Sequence, residues 1–267
     1  MGTAGDINDI ATIASIGDYT EVLRSVRLSW KKESTNNFDV WHRGVRNADG
    51  HRLHTSFHRF ANDHGEDSLC REFLVHSPPF LAERPSSGWE EYAMMQHYGL
   101  PTRLLDWTRS PLIALFFALE ADTPAEDAID ARVFLLDPVE LNRITSGHRG
   151  ILTWLHPEVG PYLPEGLRRA AGKALIPELP AAIEAPLSNR RILAQRGCFT
   201  VSGKNVDGIY AAVERGLQHV GAVRVPAARR ASLREDLWGL GLADEVVYQD
   251  LPSLARRIKR EYARPPS

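Results

Sequence analysis

The chain has 267 residues, 43% hydrophobic and 25% charged, with a formal net charge of -2 at pH 7. That length buries a core without staples, and the near-balanced charge gives no global pull toward nucleic acid or an anionic membrane. Two cysteines, Cys70 and Cys198, are too few for a disulfide framework or a cysteine-based zinc site. No window is long and apolar enough to span a bilayer, and the opening residues lack the pattern of a secretory signal. The expectation is a soluble cytoplasmic protein with free thiols and no metal.

Along the chain, Asp18 and Glu21 resemble a capping box, followed by Tyr19, Val22, Leu23 and Val26 at helical spacing. "FDVWHRGV" (38–45) reads as a strand, with Phe38, Val40 and His42 on one face and Asp39, Trp41 and Arg43 on the other. Gly44, with no side chain, leaves that strand open to close approach by another group. Residues 66 to 81 suit a helix stopped by Pro78-Pro79, and "GWEEYAMMQHYG" suits another ending at Gly99. Ser110-Pro111 is a strong start signal for an apolar helix, Pro111 to Glu120, expected to be buried.

"ARVFLLDP" reads as a strand, and residues 145 to 188, rich in Pro and Gly, are the least legible. "RRILAQRGCFTV" reads as a strand interrupted at Gly197, and "AVRVP" as another. Leu233, Leu237 and Leu240 mark a helix ending at Gly241, and Leu254, Ala255, Ile258 and Tyr262 mark the last. The arginines scattered from Gly221 onward are interleaved with acids and read as a solvated helical face. Helices and strands mixed without strict alternation indicate an α+β fold.

Three stretches carry candidate chemistry. In "WHRG", Arg43 has the planar fork that grips a phosphate or carboxylate, or it pairs with an acid such as Asp39 or Glu66. In "QHYGLPTRLLDW", Gly99 and Pro101 fix a rigid turn. That makes Gln96, His97, Tyr98, Thr102 and Arg103 a preset array, with Asp106 placed to lock an arginine. The array either faces a ligand or ties the turn to the apolar helix after it. In "HRLHTSFHR", the three histidines have helical spacing but no accompanying carboxylate, so a polar surface is expected rather than a metal site. The absence of GxGxxG, GxxxxGK[ST], HExxH and GxSxG argues against Rossmann, P-loop, zincin and hydrolase chemistry.

"WHRG", Glu66 with Leu69 and Phe73, "MQHYGLPTRLLDWTRSPLIALFFAL" and "RILAQRGCFTV" together resemble the FRG domain. The family takes its name from an aromatic-Arg-Gly motif, although here His42 holds the aromatic position and Trp41 precedes it. The resemblance runs from about residue 16 to 262, leaving tails at 1–15 and 263–267. It implies a bacterial setting of anti-phage defence or toxin action.

The order of elements is also similar to the ADP-ribosyltransferase-like fold, which implies one domain with a mixed, split central sheet flanked by helices. By that analogy the chain is an NAD-dependent ADP-ribosyltransferase or NAD glycohydrolase, with NAD as substrate or ligand. Arg43, Gln195 and Glu66 would be the catalytic group, with Glu66 supplying the carboxylate that Gln195 lacks. Trp41, Gly44, Gln96, His97, Tyr98, Thr102, Arg103, Asp106 and Trp107 would bind the ligand. The alternative is a non-catalytic module that senses a nucleotide or a protein partner through the same cleft. Neither reading involves a membrane or requires nucleic acid.

Overall fold

A computed structural model of the chain describes residues 6–33, 39–60, 65–81, 83–120, 123–168, 175–184, 186 and 190–262. Phe38, the 263–267 tail and the first five residues of the 1–15 tail lie outside the described residues.

The strands are β1 (Asp9–Thr12), β2 (Trp41–Val45), β3 (Leu104–Thr108), β4 (Ala131–Leu136), β5 (Leu152–Thr153), β6 (Ala181–Glu184), β7 (Gly197–Val201) and β8 (Val220–Val225). They form one mixed eight-stranded sheet in the order β1-β8-β4-β2-β3-β7-β6-β5. β1 with β8 and β5 with β6 run parallel, and the remaining pairs are antiparallel. The pairing is uneven. β2 pairs with β4 over five positions and β3 with β7 over five. Between β2 and β3 there is one paired position, His42 opposite Thr108. The sheet is therefore split into two four-stranded halves joined at a narrow seam, in a single α+β domain.

The first helices are α1 (Ile16–Glu33), α2 (Ser56–Arg59), α3 (Gly65–His76), α4 (Gly88–His97), α5 (Pro111–Leu119), α6 (Pro124–Asp127) and α7 (Pro138–Thr145). They are followed by α8 (Arg190–Ala194), α9 (Gly208–Glu214), α10 (Ala227–Gly239), α11 (Asp244–Tyr248) and α12 (Leu251–Glu261). The buried helix expected after Ser110 is α5. Its Ile113, Leu115, Phe116 and Leu119 share a core with Tyr19 of α1, Val133 and Leu135 of β4, Val223 of β8 and Leu233 of α10. A second core joins α3 and α4 to β6 and β7, through Cys70, Tyr92, Met95, Ile183 and Phe199. A third gathers Trp41, Leu105, Trp107 and Phe134 with Leu141 of α7 and Tyr210 of α9.

Local signals explain most boundaries. Leu100 N–H donates to the Met95 carbonyl at 2.9 Å and Gly99 N–H to that of Gln96 at 3.1 Å, with Gly99 at φ +83, so α4 ends in a Schellman motif. Two expectations need correction. The capping box of α1 is Ser15 with Asp18, not Asp18 with Glu21. Asp18 Oδ2 accepts from Ser15 N–H at 3.1 Å while Ser15 Oγ accepts from Asp18 N–H at 3.1 Å. The stretch 190–201 is not one interrupted strand. Residues 190–194 form helix α8, and a turn at Gln195-Arg196 leads into β7.

Candidate functional site

Beside the seam, where β2 and β3 part, lies a cleft of about 440 Å³. Residues from β2, the C-terminal end of α4, β3, α5 and the α8–β7 turn line it. Arg43 projects from β2 toward β3, with its side chain 19% exposed, and its Nη1 donates to the Asp106 carbonyl at 2.6 Å. The Asp106 carboxylate is 4.0 Å from the same Nη1 and accepts from Gln96 Nε2 at 3.0 Å. The guanidinium thus bridges strands that have almost no backbone ladder between them.

Seven of the twelve residues expected at the site line this cleft: Arg43, Gly44, Gln96, His97, Asp106, Trp107 and Gln195. The fold puts Trp41, Glu66, Tyr98, Thr102 and Arg103 elsewhere. Arg103, expected to bind the ligand, is 3% exposed and fully engaged. Its Nε meets Glu66 Oε2 at 2.6 Å, its Nη1 donates to the Ser202 carbonyl at 2.8 Å, and its Nη2 donates to the Tyr162 carbonyl. Tyr92 Oη accepts from Arg103 N–H at 2.7 Å and donates to Glu66 Oε1. Burial, then the Glu66 charge, pushes the Tyr92 hydroxyl well above its ordinary pKa, so it remains the donor in that pair. Glu66 is 8% exposed and committed to Arg103 and Tyr92, so it offers no carboxylate to the cleft.

Thr102 is also buried; its hydroxyl donates to Gln96 Oε1 and its N–H to Ser56 Oγ at 3.1 Å. Trp41 is wholly buried in the core, and Tyr98 is 67% exposed outside the cleft. The polar array therefore divides into two parts. Gln96, His97 and Asp106 face the cleft, while Thr102 and Arg103 hold the turn from behind.

Three of the seven lining residues have duties other than those expected. A Cβ on Gly44 would lie 1.9 Å from the Ala114 carbonyl oxygen and 2.5 Å from Ala118 N, so Gly44 admits helix α5 rather than a ligand. The Trp107 ring is 3% exposed, with Nε1 donating to Thr200 Oγ1 at 3.0 Å, so it packs in the core. Gln195 sits in the α8–β7 turn, not on a strand. Its Nε2 donates to the Val247 carbonyl at 3.2 Å, and its own carbonyl accepts from Thr108 Oγ1 at 2.6 Å.

Residue-by-residue reading missed His42, Arg46, His51, Arg59, Thr108, Phe117, Glu120 and Arg191 at the cleft. Arg46 lies 3.9 Å from Glu120, which also accepts from Tyr248 Oη at 2.5 Å. Arg191 stacks over the Tyr248 ring at 4.9 Å. Neither Arg59 nor Arg191 pairs with a carboxylate among the described residues. Four arginines thus face two carboxylates across the cleft. Burial, with Arg59 nearby, draws the Arg43 pKa below its ordinary value in spite of Asp106, and burial, then Arg191, lowers that of His97. Both shifts are set first by burial, with the neighbouring arginines adding to it. A signal for Arg59 and Arg191 was present in sequence, since each ends or opens a basic pair, but nothing local tied either to Arg43.

The Cys70 and Cys198 thiols are both free, as expected, and the fold buries both. Among the described residues, no helix is long and apolar enough to cross a membrane. No curated protein and no solved structure matches the chain. Residues 39–127 match the family model described as the FRG domain, a segment that carries Arg43, Gln96, Asp106 and the whole of α5. Over residues 39–127 the chain is thus similar to the FRG domain family.

Proposed function

We propose that the cleft binds an anionic, ring-bearing ligand of the nucleotide class, with NAD as the candidate ligand. One observation carries this reading: four arginines converge on a 440 Å³ cleft whose described lining sets Asp106 and Glu120 against them. Guanidinium groups match pyrophosphate oxygens in geometry and charge, and Phe117 and His97 offer ring surface beside them. Arg43, already oriented by the Asp106 carbonyl, is the residue placed to hold phosphate.

The reaction that fits is cleavage of the nicotinamide–ribose bond of NAD, as an ADP-ribosyltransferase or NAD glycohydrolase. That bond breaks through a cationic ribose, which a nearby carboxylate stabilises. With Glu66 locked away, Asp106 takes that role, being 59% exposed on its side chain and steadied by Gln96. The expected readout is nicotinamide release from NAD, abolished by Asp106→Asn while nucleotide binding persists. Absence of release from a parent protein that binds nucleotide would overturn the enzymatic reading.

The second reading, a non-catalytic sensor of a nucleotide or a protein partner, draws on Gln195, whose amide donor is taken up by Val247 rather than presented to a ribose. Binding without turnover would establish it. Following the resemblance to FRG proteins, we place this role in the bacterial cytoplasm, in anti-phage defence or as a toxin.

A further inference from the structure

A second cavity of about 250 Å³ adjoins the first, and one residue, His42, lines both. Its charged walls are Arg27 of α1, Asp39, Arg109 and Arg196. Arg109 is neutralised there: its Nε meets Asp39 Oδ2 at 2.5 Å and its Nη2 meets Glu184 Oε1 at 3.0 Å. Arg27 and Arg196 have no carboxylate partner among the described residues. Arg196 also stands at φ +48 in the α8–β7 turn, with its carbonyl accepting from Arg109 N–H at 3.1 Å. Glycine would take that left-handed conformation without strain, yet an arginine occupies it.

The decisive group is His42. It is 5% exposed, and its Nδ1 is fully buried with no hydrogen-bond partner. Buried polar atoms in folded proteins are nearly always satisfied, so an orphan on a residue that lines a cavity calls for a partner, which a small turn of the ring toward that cavity would supply. Burial, then Arg27, holds the His42 pKa down to about 3, so the ring is neutral and has one nitrogen to donate and one to accept.

We propose that this cavity is a second anion site, taking a small phosphate-type oxyanion between Arg27 and Arg196, with His42 Nδ1–H as the third donor. The site stands independently of the nucleotide reading of the larger cleft. Because His42 lines both cavities, a ring movement on binding here would reach the cleft.

The test is titration of inorganic phosphate into the full chain, at ionic strength held constant with chloride, followed by calorimetry and by NMR of the histidine rings. The parent should bind phosphate with movement of the His42 signals. Arg27→Ala and Arg196→Ala should each weaken, about tenfold, the binding event that moves the His42 signals. Both substituted arginines are exposed, so these variants are expected to fold, which their melting checks. His42→Leu should abolish binding; if it fails to fold, the two arginine variants still decide. No phosphate binding above the chloride control would overturn the proposal. So would loss of binding in Arg43→Ala with Arg27→Ala and Arg196→Ala unaffected, since the anion would then sit in the main cleft.

Discussion

Arg43 and Arg103 are the same residue type in equally promising motifs, and the fold gives them opposite jobs. Arg103 closes a buried network with Glu66 and Tyr92, whereas Arg43 reaches a cleft. Removing Glu66 by Glu66→Ala leaves the Arg103 charge buried and unpaired, so the variant should lose about 3–5 kcal/mol in a denaturant titration. Arg43→Ala should melt near the parent and instead lose roughly 1–3 kcal/mol of nucleotide binding. An unfolded Arg43→Ala would remove it from the binding role. No local pattern could have separated the two arginines, because Glu66 lies 37 residues before Arg103 and only the packing of α3 brings it near. His42 gives a pH signature. The unfolded chain protonates it near 6.5 and the folded chain only near 3, so between those values the unfolded state binds more protons. Stability from this group is complete above pH 6.5 and is lost as pH falls, by on the order of 3–5 kcal/mol at pH 3. A His42→Asn variant should show a flatter stability curve across that window, measured by chemical denaturation at stepped pH.

At the scale of elements, strong terminal signals were legible. The Pro111 start and the Gly99 stop both appear where the sequence put them, because backbone preferences are local, although the Ser110 side chain makes no capping hydrogen bond. The five-residue helix α8 was read as strand, since a single turn and a half cannot display a 3.6-residue period. Strand β3 was read as part of a loop because its Asp106 breaks the apolar run at the point where it faces the cleft. The reading of Gly44 as a ligand approach failed for a related reason: glycine announces that something comes close, not what. Here it is the backbone of α5, so Gly44→Ala must push that helix away and should cost about 1–3 kcal/mol in melting or denaturant assays. Phe116→Asp on the same helix buries an unpaired charge and should cost several kcal/mol more.

For the whole molecule, the α+β class and the split sheet were legible from the order of helices and strands and from the resemblance it carried. The sheet order was not, because β8 inserts between β1 and β4 from some 90 residues away and no local spacing encodes that. The seam carries a further meaning. The segment that matches the FRG family model, 39–127, holds only β2 and β3 of the eight strands, and those two pair at a single position. Every other strand partner of β2 and β3 lies beyond residue 127. The matched stretch is therefore a signature written on a larger body rather than a module that can be cut out and grafted. Expressed alone, 39–127 should show no cooperative melting transition, and a fusion carrying only that stretch would inherit the arginine and lose the cleft.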